Sequence, residues 1–390
     1  MYRDLLRNEG VSRYVVSYNS FYFANGLASS FINILFFSTG NLIIVLEFQI
    51  FYQVSQLIMF MLSGSISNLL SIKHIYAIGT CIRALVLLSA VIIGGFFFNQ
   101  IVFGIIYGIS GGLYWAGNAV ISLEVSRGTN RLNFLSLNST VSYVVSLTAP
   151  TLGGIVLELT PLRGVLRYLI LFIATALLLI YSAIQAELIN IRKNINQKVR
   201  IIDSIYADSH IKRAFKSYFI FSSIYVFGLS IILPVYVFDI TKNYTIVGLL
   251  AAFMAGTAAL GNIFSPNLLK KGKRKLPYLY AGIIIASSFA FLGIKQHPIT
   301  FAFLAGGIAM LFVAPINNRS MSNFMNSVDI LVTSFPYWLN REYYLLAGRL
   351  ATLVSILILI SISGILIYMP ILTLMSFSII LMLPAVNLDN

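Results

Sequence analysis

The chain has 390 residues, 58% of them hydrophobic and only 10% charged, where a soluble domain carries about 25% charged residues. So little polar surface excludes a water-facing globule, and the sequence reads as an integral membrane protein. The net charge of +14 would suggest a polyanion partner in a soluble protein, but the basic residues lie where membrane topology needs them, which excludes a nucleic-acid role.

Residues 1–12 are short and mixed in charge, with no pattern of a cleavable leader, and are expected to form a cytoplasmic stub. A membrane span needs about 20 mostly apolar residues, and that template fits twelve times. In the first half the expected spans are Tyr14–Phe37, Leu42–Leu70, Ile75–Phe98, Ile101–Leu123, Phe134–Leu157 and Val165–Ala186. In the second half they are Ser217–Phe238, Thr245–Leu269, Tyr278–Ile294, Ile299–Ser320, Tyr343–Tyr368 and Pro370–Val386. Residues 317–338 are polar and amphipathic, so the end of the tenth span is the hardest to place.

Between the halves, residues 187–216 are too polar for a bilayer: Arg192, Lys193, Lys198, Arg200, Lys212, Arg213 and Lys216 stand against Glu187, Asp203 and Asp208. The expected division is a six-helix bundle over 1–186, a basic linker over 187–216 and a second six-helix bundle over 217–390. Ile195, Val199, Ile202 and Ile205 interleave with the linker charges, the pattern of a helix lying along a membrane surface, with anionic headgroups as its neighbours. Lysine and arginine in short loops set orientation. With a cytoplasmic N-terminus, 20 of them fall inside and 4 outside, leaving Arg83 and Arg319 on or within spans. Both termini and the linker are therefore expected in the cytoplasm, and the high net charge reports topology.

An internal repeat relates the halves. Gly64, Asn68, Ser71, Lys73 and His74 follow the second span, and Ser265, Leu269, Lys270, Gly272, Arg274 and Lys275 follow the eighth, at matching offsets that begin 201 residues apart. In the fifth span stands Ala149-Pro150-Thr151-Leu152-Gly153-Gly154. The first pattern resembles motif A of the major facilitator superfamily, and the second resembles its motif C, Gly-Pro-x-x-Gly-Gly. That resemblance implies two pseudo-symmetric bundles of six helices, a central cavity and alternating access by rocking of the halves. Motif C is associated with exporters. Asn68 stands where the family has an aspartate, Leu69 where it has a basic residue, and the fourth span lacks the motif B arginine that the family associates with proton coupling.

A polar group facing lipid is costly, whereas one facing a wet cavity is not, so cavity walls should show as polar and aromatic stripes at helical spacing. Tyr18, Tyr22, Asn25 and Ser29 make one on the first span; Tyr107, Tyr114 and Asn118, with Trp115 beside them, make one on the fourth; Ser222, Tyr225 and Tyr236 make one on the seventh. By the family pattern the first, fourth, seventh and tenth helices line the cavity, so these are the expected substrate contacts. Gln49, Gln53 and Gln56 share a face of the second span, at the interface between halves or on the cavity. The alternative for each residue is an interhelical hydrogen bond or an aromatic anchor at the lipid boundary.

Charges inside spans are few. Glu47 is the available carboxylate for coupling, or else a headgroup-level residue; Arg83 is expected to be a structural cation paired with Glu124 or a backbone carbonyl, with a substrate or coupling role as the alternative. Conformational roles are expected for Gly64, Asn68, Lys73, Pro150, Gly153, Gly154, Gly272 and Arg274, and for ion-pair clusters of Glu124 with Arg131 and of Arg341 with Glu342 and Arg349. No nucleotide-binding loop occurs, the three histidines are too scattered for a metal site, and the lone Cys81 cannot form an intrachain disulfide. Neither an enzyme activity nor a cofactor is expected. The reading is a monomeric secondary transporter of the cell membrane that exports a small amphipathic or hydrophobic compound, with protons as the expected counter-ion. The alternatives are a proton symporter or facilitator importing a sugar-like or nucleoside-like metabolite, and a transport-inactive membrane receptor or scaffold.

Overall fold

The computed structural model describes residues 7–39, 41–92, 99–126, 131–190, 201–270, 283–285, 287–288, 297–329, 335–363 and 381. Among these the chain is helical, without strands, as an apolar environment requires: a helix satisfies its own backbone hydrogen bonds. Among the described residues, eight helices are long and apolar enough to cross a membrane. The chain divides into two compact units, one of residues 1–207 with 333–339 and one of residues 208–332 with 340–390.

The first unit contains α1 (Glu9–Thr39), α2 (Leu42–Ile66), α3 (Ile72–Ile92), α4 (Gln100–Ser126), α5 (Arg131–Leu159) and α6 (Leu169–Glu187), the last preceded by a 3-10 turn at Gly164–Tyr168. Asparagines start three of the helices by accepting from the orphan N–H groups of the first turn: Asn8 serves Gly10, Asn41 serves Ile43 at 2.9 Å, and Asn99 serves Ile101 at 2.8 Å. α4 is the innermost, buried at every residue from Ser110 to Leu123 except Trp115. It packs against α2 on one side and α3 on another, while α1 packs against α5 and α6. The α2–α4 seam is built by Gly104, Gly108 and Gly112, where an added Cβ would sit 2.7, 2.5 and 2.5 Å from the carbonyl oxygens of Phe48, Tyr52 and Gln56. Lipid supplies no hydrophobic drive between helices, so such backbone approach, with its dispersion contacts, is what holds them. At the α1–α5 crossing Gly153 does the same against Leu27, and Ala149 and Pro150 face Gly26.

The second unit contains α8 (Arg213–Thr241), α9 (Tyr244–Lys270), α10 (Pro298–Asp329) and most of α11 (Phe335–Ser363); the boundary between units falls within the short α7 (Ile201–His210). α9 packs on α10, and Tyr218 of α8 donates to Asn317 Oδ1 of α10 at 2.9 Å. Lys242 ends α8 in the left-handed conformation (φ 49°), its N–H bonded to Phe238 O at 2.7 Å, and Asn243 Oδ1 then caps α9 by accepting from Ile246. Asp208 accepts from Lys216 at 2.7 Å and from Tyr344 at 2.6 Å, tying α8 and α11 to the end of α7.

The tenth span runs beyond the expected Ser320 to Asp329, and the eleventh starts at Phe335 rather than Tyr343. Both extensions are amphipathic helix that a hydropathy window cannot see, and Pro336 is tolerated because it lies in a first turn, where its missing N–H would be unpaired anyway. α2 stops at Ile66, four residues early, in a turn in which Asn68 N–H bonds to Ser65 O. Of the ninth expected span only residues 283–285 and 287–288 are described, and of the twelfth only 381. Ile195 and Val199 also lie outside the described residues, whereas Ile205 and Tyr206 are exposed on α7.

Two outcomes follow from this packing. Gly108→Leu should force α2 and α4 apart and cost about 1–3 kcal/mol, the usual penalty for overpacking, read as a lower unfolding temperature in detergent; an unchanged temperature would contradict the seam. Burial pushes the Asp208 carboxyl up, but the hydrogen bonds from Lys216 and Tyr344 outweigh it and hold the group below its ordinary value. The tie therefore stabilises above the ordinary carboxylate range and is lost as pH falls through the depressed value. Hydrogen exchange over residues 208–216 should accelerate on acidification in the parent and be already fast, with a flatter pH response, in Asp208→Asn.

Candidate functional site

Tyr14, Tyr18, Tyr22, Asn25 and Ser29 follow one another at steps of three or four residues along α1, which puts them on one face. The three tyrosine rings stack with centroids 5.7 Å apart at each step. Tyr14 is buried and donates to Asn118 Oδ1 of α4 at 3.1 Å, while Tyr18, Tyr22, Asn25 and Ser29 are half-buried. Beside this ladder, Phe21 stacks on Tyr114 and Trp115 meets Tyr114 edge-on at 5.0 Å. The aromatic faces expected on the first and fourth spans are thus brought together.

Arg83 stands near the middle of α3 and is 2% exposed. Its Nε donates to Ser110 Oγ of α4 at 3.2 Å and its Nη1 to Asn25 Oδ1 of α1 at 3.1 Å; the guanidinium also lies 4.3 Å from the Tyr107 ring centroid and 5.2 Å from that of Phe21. Tyr107 in turn donates to Asn25 at 3.5 Å. Arg83 Nη2 is buried without a hydrogen-bond partner among the described residues, against Gly111, where Gln56 Oε1 and the Tyr52 ring converge. Its partners are neutral amides, hydroxyls and rings, not Glu124 or a backbone carbonyl. Glu124 lies in the last turn of α4, well along the helix from Ser110.

Gln49, Gln53 and Gln56 are all buried. Gln49 Nε2 donates to Asn33 Oδ1 of α1 at 2.7 Å and Gln53 Nε2 to Gln49 Oε1 at 3.5 Å. Glu47 is engaged elsewhere, accepting from Gln100, the first residue of α4, at 2.6 Å. In the second unit Ser222 and Tyr225 are buried and Tyr236 is 9% exposed; Ser222 bonds to Phe219 O within its own helix, and the Tyr225 hydroxyl has no partner among the described residues.

Among the residues expected to act in conformational change, Lys73 donates to the Glu187 carbonyl at 2.8 Å and His74 Nδ1 lies 2.6 Å from Glu187 Oε1, so this part of motif A fastens the start of α3 to the end of α6. Gly64 is buried. Arg341 pairs with Glu342 at 3.0 Å and faces the Phe219 ring. Arg349 lies two turns further along α11, and Arg131 opens α5. Gly272 and Arg274 lie outside the described residues. Sequence reasoning missed Asn33, Ser110, Phe21 and the buried group of Ser17, Tyr76 and Ser182. Ser110 and Asn33 carried the weak signal of a polar residue inside an apolar run; nothing in the order of the residues named their partners.

A bundle of long apolar helices whose amides, hydroxyls and one arginine are gathered inside it is a multi-pass membrane protein of transporter build. The chain belongs to the Major Facilitator Superfamily: its residues 14–328 match that family's sequence profile. The Bacillus subtilis (strain 168) protein YqgE is similar at 20% identity over 346 residues, which is 86% of this chain and 79% of that one. Among solved structures, the nucleoside transporter NupG aligns with a TM-score of 0.69 at 13% identity, over 98% of this chain and 100% of its own. FucP, a Major Facilitator Superfamily transporter in the outward conformation, aligns with a TM-score of 0.65 at 13% identity, over 96% and 97%. A bacterial homologue of the iron transporter ferroportin aligns with a TM-score of 0.64 at 13% identity, over 97% of both chains. At such identities the likeness concerns the fold.

The amide pair gives a test of the polar interior. Asn33→Leu alone leaves the Gln49 Nε2 donor buried without Asn33 and should destabilise by about 1–3 kcal/mol, whereas Asn33→Leu with Gln49→Leu should recover most of that loss. Thermal unfolding of the two single variants and the double variant measures the coupling; strictly additive losses would mean that the pair is not formed.

Proposed function

We propose that this protein carries a small amphipathic organic compound across the cell membrane by alternating access, in the outward direction. The observation that supports this most is the stacked ladder of Tyr14, Tyr18 and Tyr22 leading to the amide of Asn25 on a half-buried face of α1. Such a face offers ring stacking over three turns and a hydrogen-bonding group at its end, which suits a compound with an aromatic or aliphatic body and a polar head. Export rests on the motif C resemblance at Pro150, Gly153 and Gly154 and on the close packing of Pro150 and Gly153 against α1. Glu47 supports proton coupling poorly, because its carboxylate is held by Gln100 in the opening turns of α2 and α4. A second reading, uptake of a hydroxyl-rich metabolite, is favoured by the amide chain of Asn33, Gln49 and Gln53.

In proteoliposomes the parent should move amphipathic solutes down an imposed gradient, Glu47→Gln should retain that flux and its response to a pH difference, and Tyr22→Ala should reduce it by about tenfold, in keeping with the loss of an aromatic contact in a transport wall. Selective flux of sugars or nucleosides would favour the second reading. A parent that moves no solute while remaining monodisperse would support the receptor or scaffold alternative.

A further inference from the structure

Arg83 carries a charge that it cannot shed, because a guanidinium stays protonated in proteins. It sits near the middle of a membrane-crossing helix, 2% exposed, where an unpaired ion is strongly disfavoured even after relaxation. Among the described residues no carboxylate lies within ion-pair distance of it. It donates to Ser110 and Asn25, Tyr52 lies beside it, and its guanidinium lies near the Tyr107 and Phe21 rings. A guanidinium has five N–H donors. Ser110 and Asn25 accept from two of them, the Tyr52 hydroxyl stands beside the guanidinium as a further hydrogen-bond partner, and Nη2 is buried without a hydrogen-bond partner among the described residues. The neighbours that approach Nη2, Gly111, Gln56 and Tyr52, are neutral, so this part of the bundle is left with one uncompensated positive charge.

A buried ionisable residue within a membrane is retained for a partner or a path. A structural cation needs its donors satisfied, and Arg83 is not so satisfied. The Tyr107 and Phe21 rings attract a cation, but such contacts are weak beside the desolvation of a whole charge. Asn25, one of its two acceptors, is also the end of the tyrosine ladder on α1 and is half-buried. The charge is therefore one residue away from the face along which the substrate is proposed to pass.

We propose that Arg83 is the anchor of a substrate carboxylate: the compound carried is a monoanionic amphipathic carboxylic acid whose body stacks on Tyr18 and Tyr22 while its carboxylate accepts from the free donors of Arg83. One unbalanced positive charge calls for one negative charge, which disfavours a dianionic phosphate. Planar pairing of guanidinium with carboxylate is the strongest hydrogen-bonded geometry available to it. This inference rests on the transport reading above and narrows it from amphipathic compounds in general to acids.

The chain has two tryptophans, so Trp338→Phe leaves Trp115, which touches Tyr114 beside the site, as the sole reporter of binding. In that background benzoate and phenylacetate, fully ionised at about pH 7.5, should perturb Trp115 emission and raise the unfolding temperature, whereas benzamide and phenylacetamide should bind at least about tenfold more weakly. Arg83→Gln should weaken the acids by about 30-fold or more and bring acid and amide to parity, and Arg83→Lys, which keeps the charge, should restore part of the preference. Size-exclusion profiles of the Arg83 variants establish that they fold, and Arg83→Lys carries the test should Arg83→Gln not fold. Equal binding of acid and amide by the parent, acid binding unaffected in Arg83→Gln, or no response to any acid would each overturn the proposal. The liposome flux of neutral amides tests the transport reading separately: flux retained without acid preference sinks only the anion anchor, and no flux of either class sinks both.

Discussion

The polar interior of the first unit depends on how closely α2 can approach α4. Three glycines one turn apart on α4 let the carbonyls of Phe48, Tyr52 and Gln56 come within a distance that no Cβ would permit. In a lipid environment dispersion and close fit replace the hydrophobic effect as the source of helix association. This seam therefore fixes the register of α2, and with it the positions of the buried glutamines and of Tyr52 and Gln56 beside Arg83. Gly111, on the same helix but off the seam, leaves room instead for the guanidinium that reaches across from α3.

Polar groups are treated differently at the ends and at the middle of the helices. Near the ends, carboxylates meet cations or amides: Glu187 with Lys73 and His74, Asp208 with Lys216, Glu47 with Gln100. In the buried interior of the first unit the described side-chain contacts of Asn33 with Gln49 and of Ser17 with Tyr76 and Ser182 are among neutral groups, and Arg83 is the exception. The cost of moving charge into hydrocarbon explains the sorting. It also makes the exception informative, since the other buried polar side chains of that region are neutral.

The eight spans found among the described residues were legible because a membrane helix is an uninterrupted apolar run of known length, and the family because its motifs survive in recognisable form at Gly64–His74 and Ala149–Gly154. The ends of α10 and α11 were not, since amphipathic turns beyond the bilayer resemble loops in a hydropathy window. The glutamine row was legible as a direction, because spacing fixes angle, but its partner Asn33 depends on how α1 and α2 cross. For Arg83 the expectation of a carboxylate or carbonyl followed from charge alone. The actual partners are set by where Asn25 and Ser110 arrive from two other helices, and sequence order does not encode that meeting. Lys73 and His74, read as part of a motif, were found on Glu187, more than a hundred residues away.

The joint between α8 and α9 has a mechanical consequence. Only Lys242 and Asn243 separate the two helices, and both are committed: one closes α8 in a left-handed turn, with its side chain on Asp239, and the other caps α9. A connector with no spare residue cannot absorb displacement. Any tilt of the end of α8 is handed directly to the start of α9, so the two helices form a single lever, and compliance in that unit has to be sought at the opposite ends of these helices.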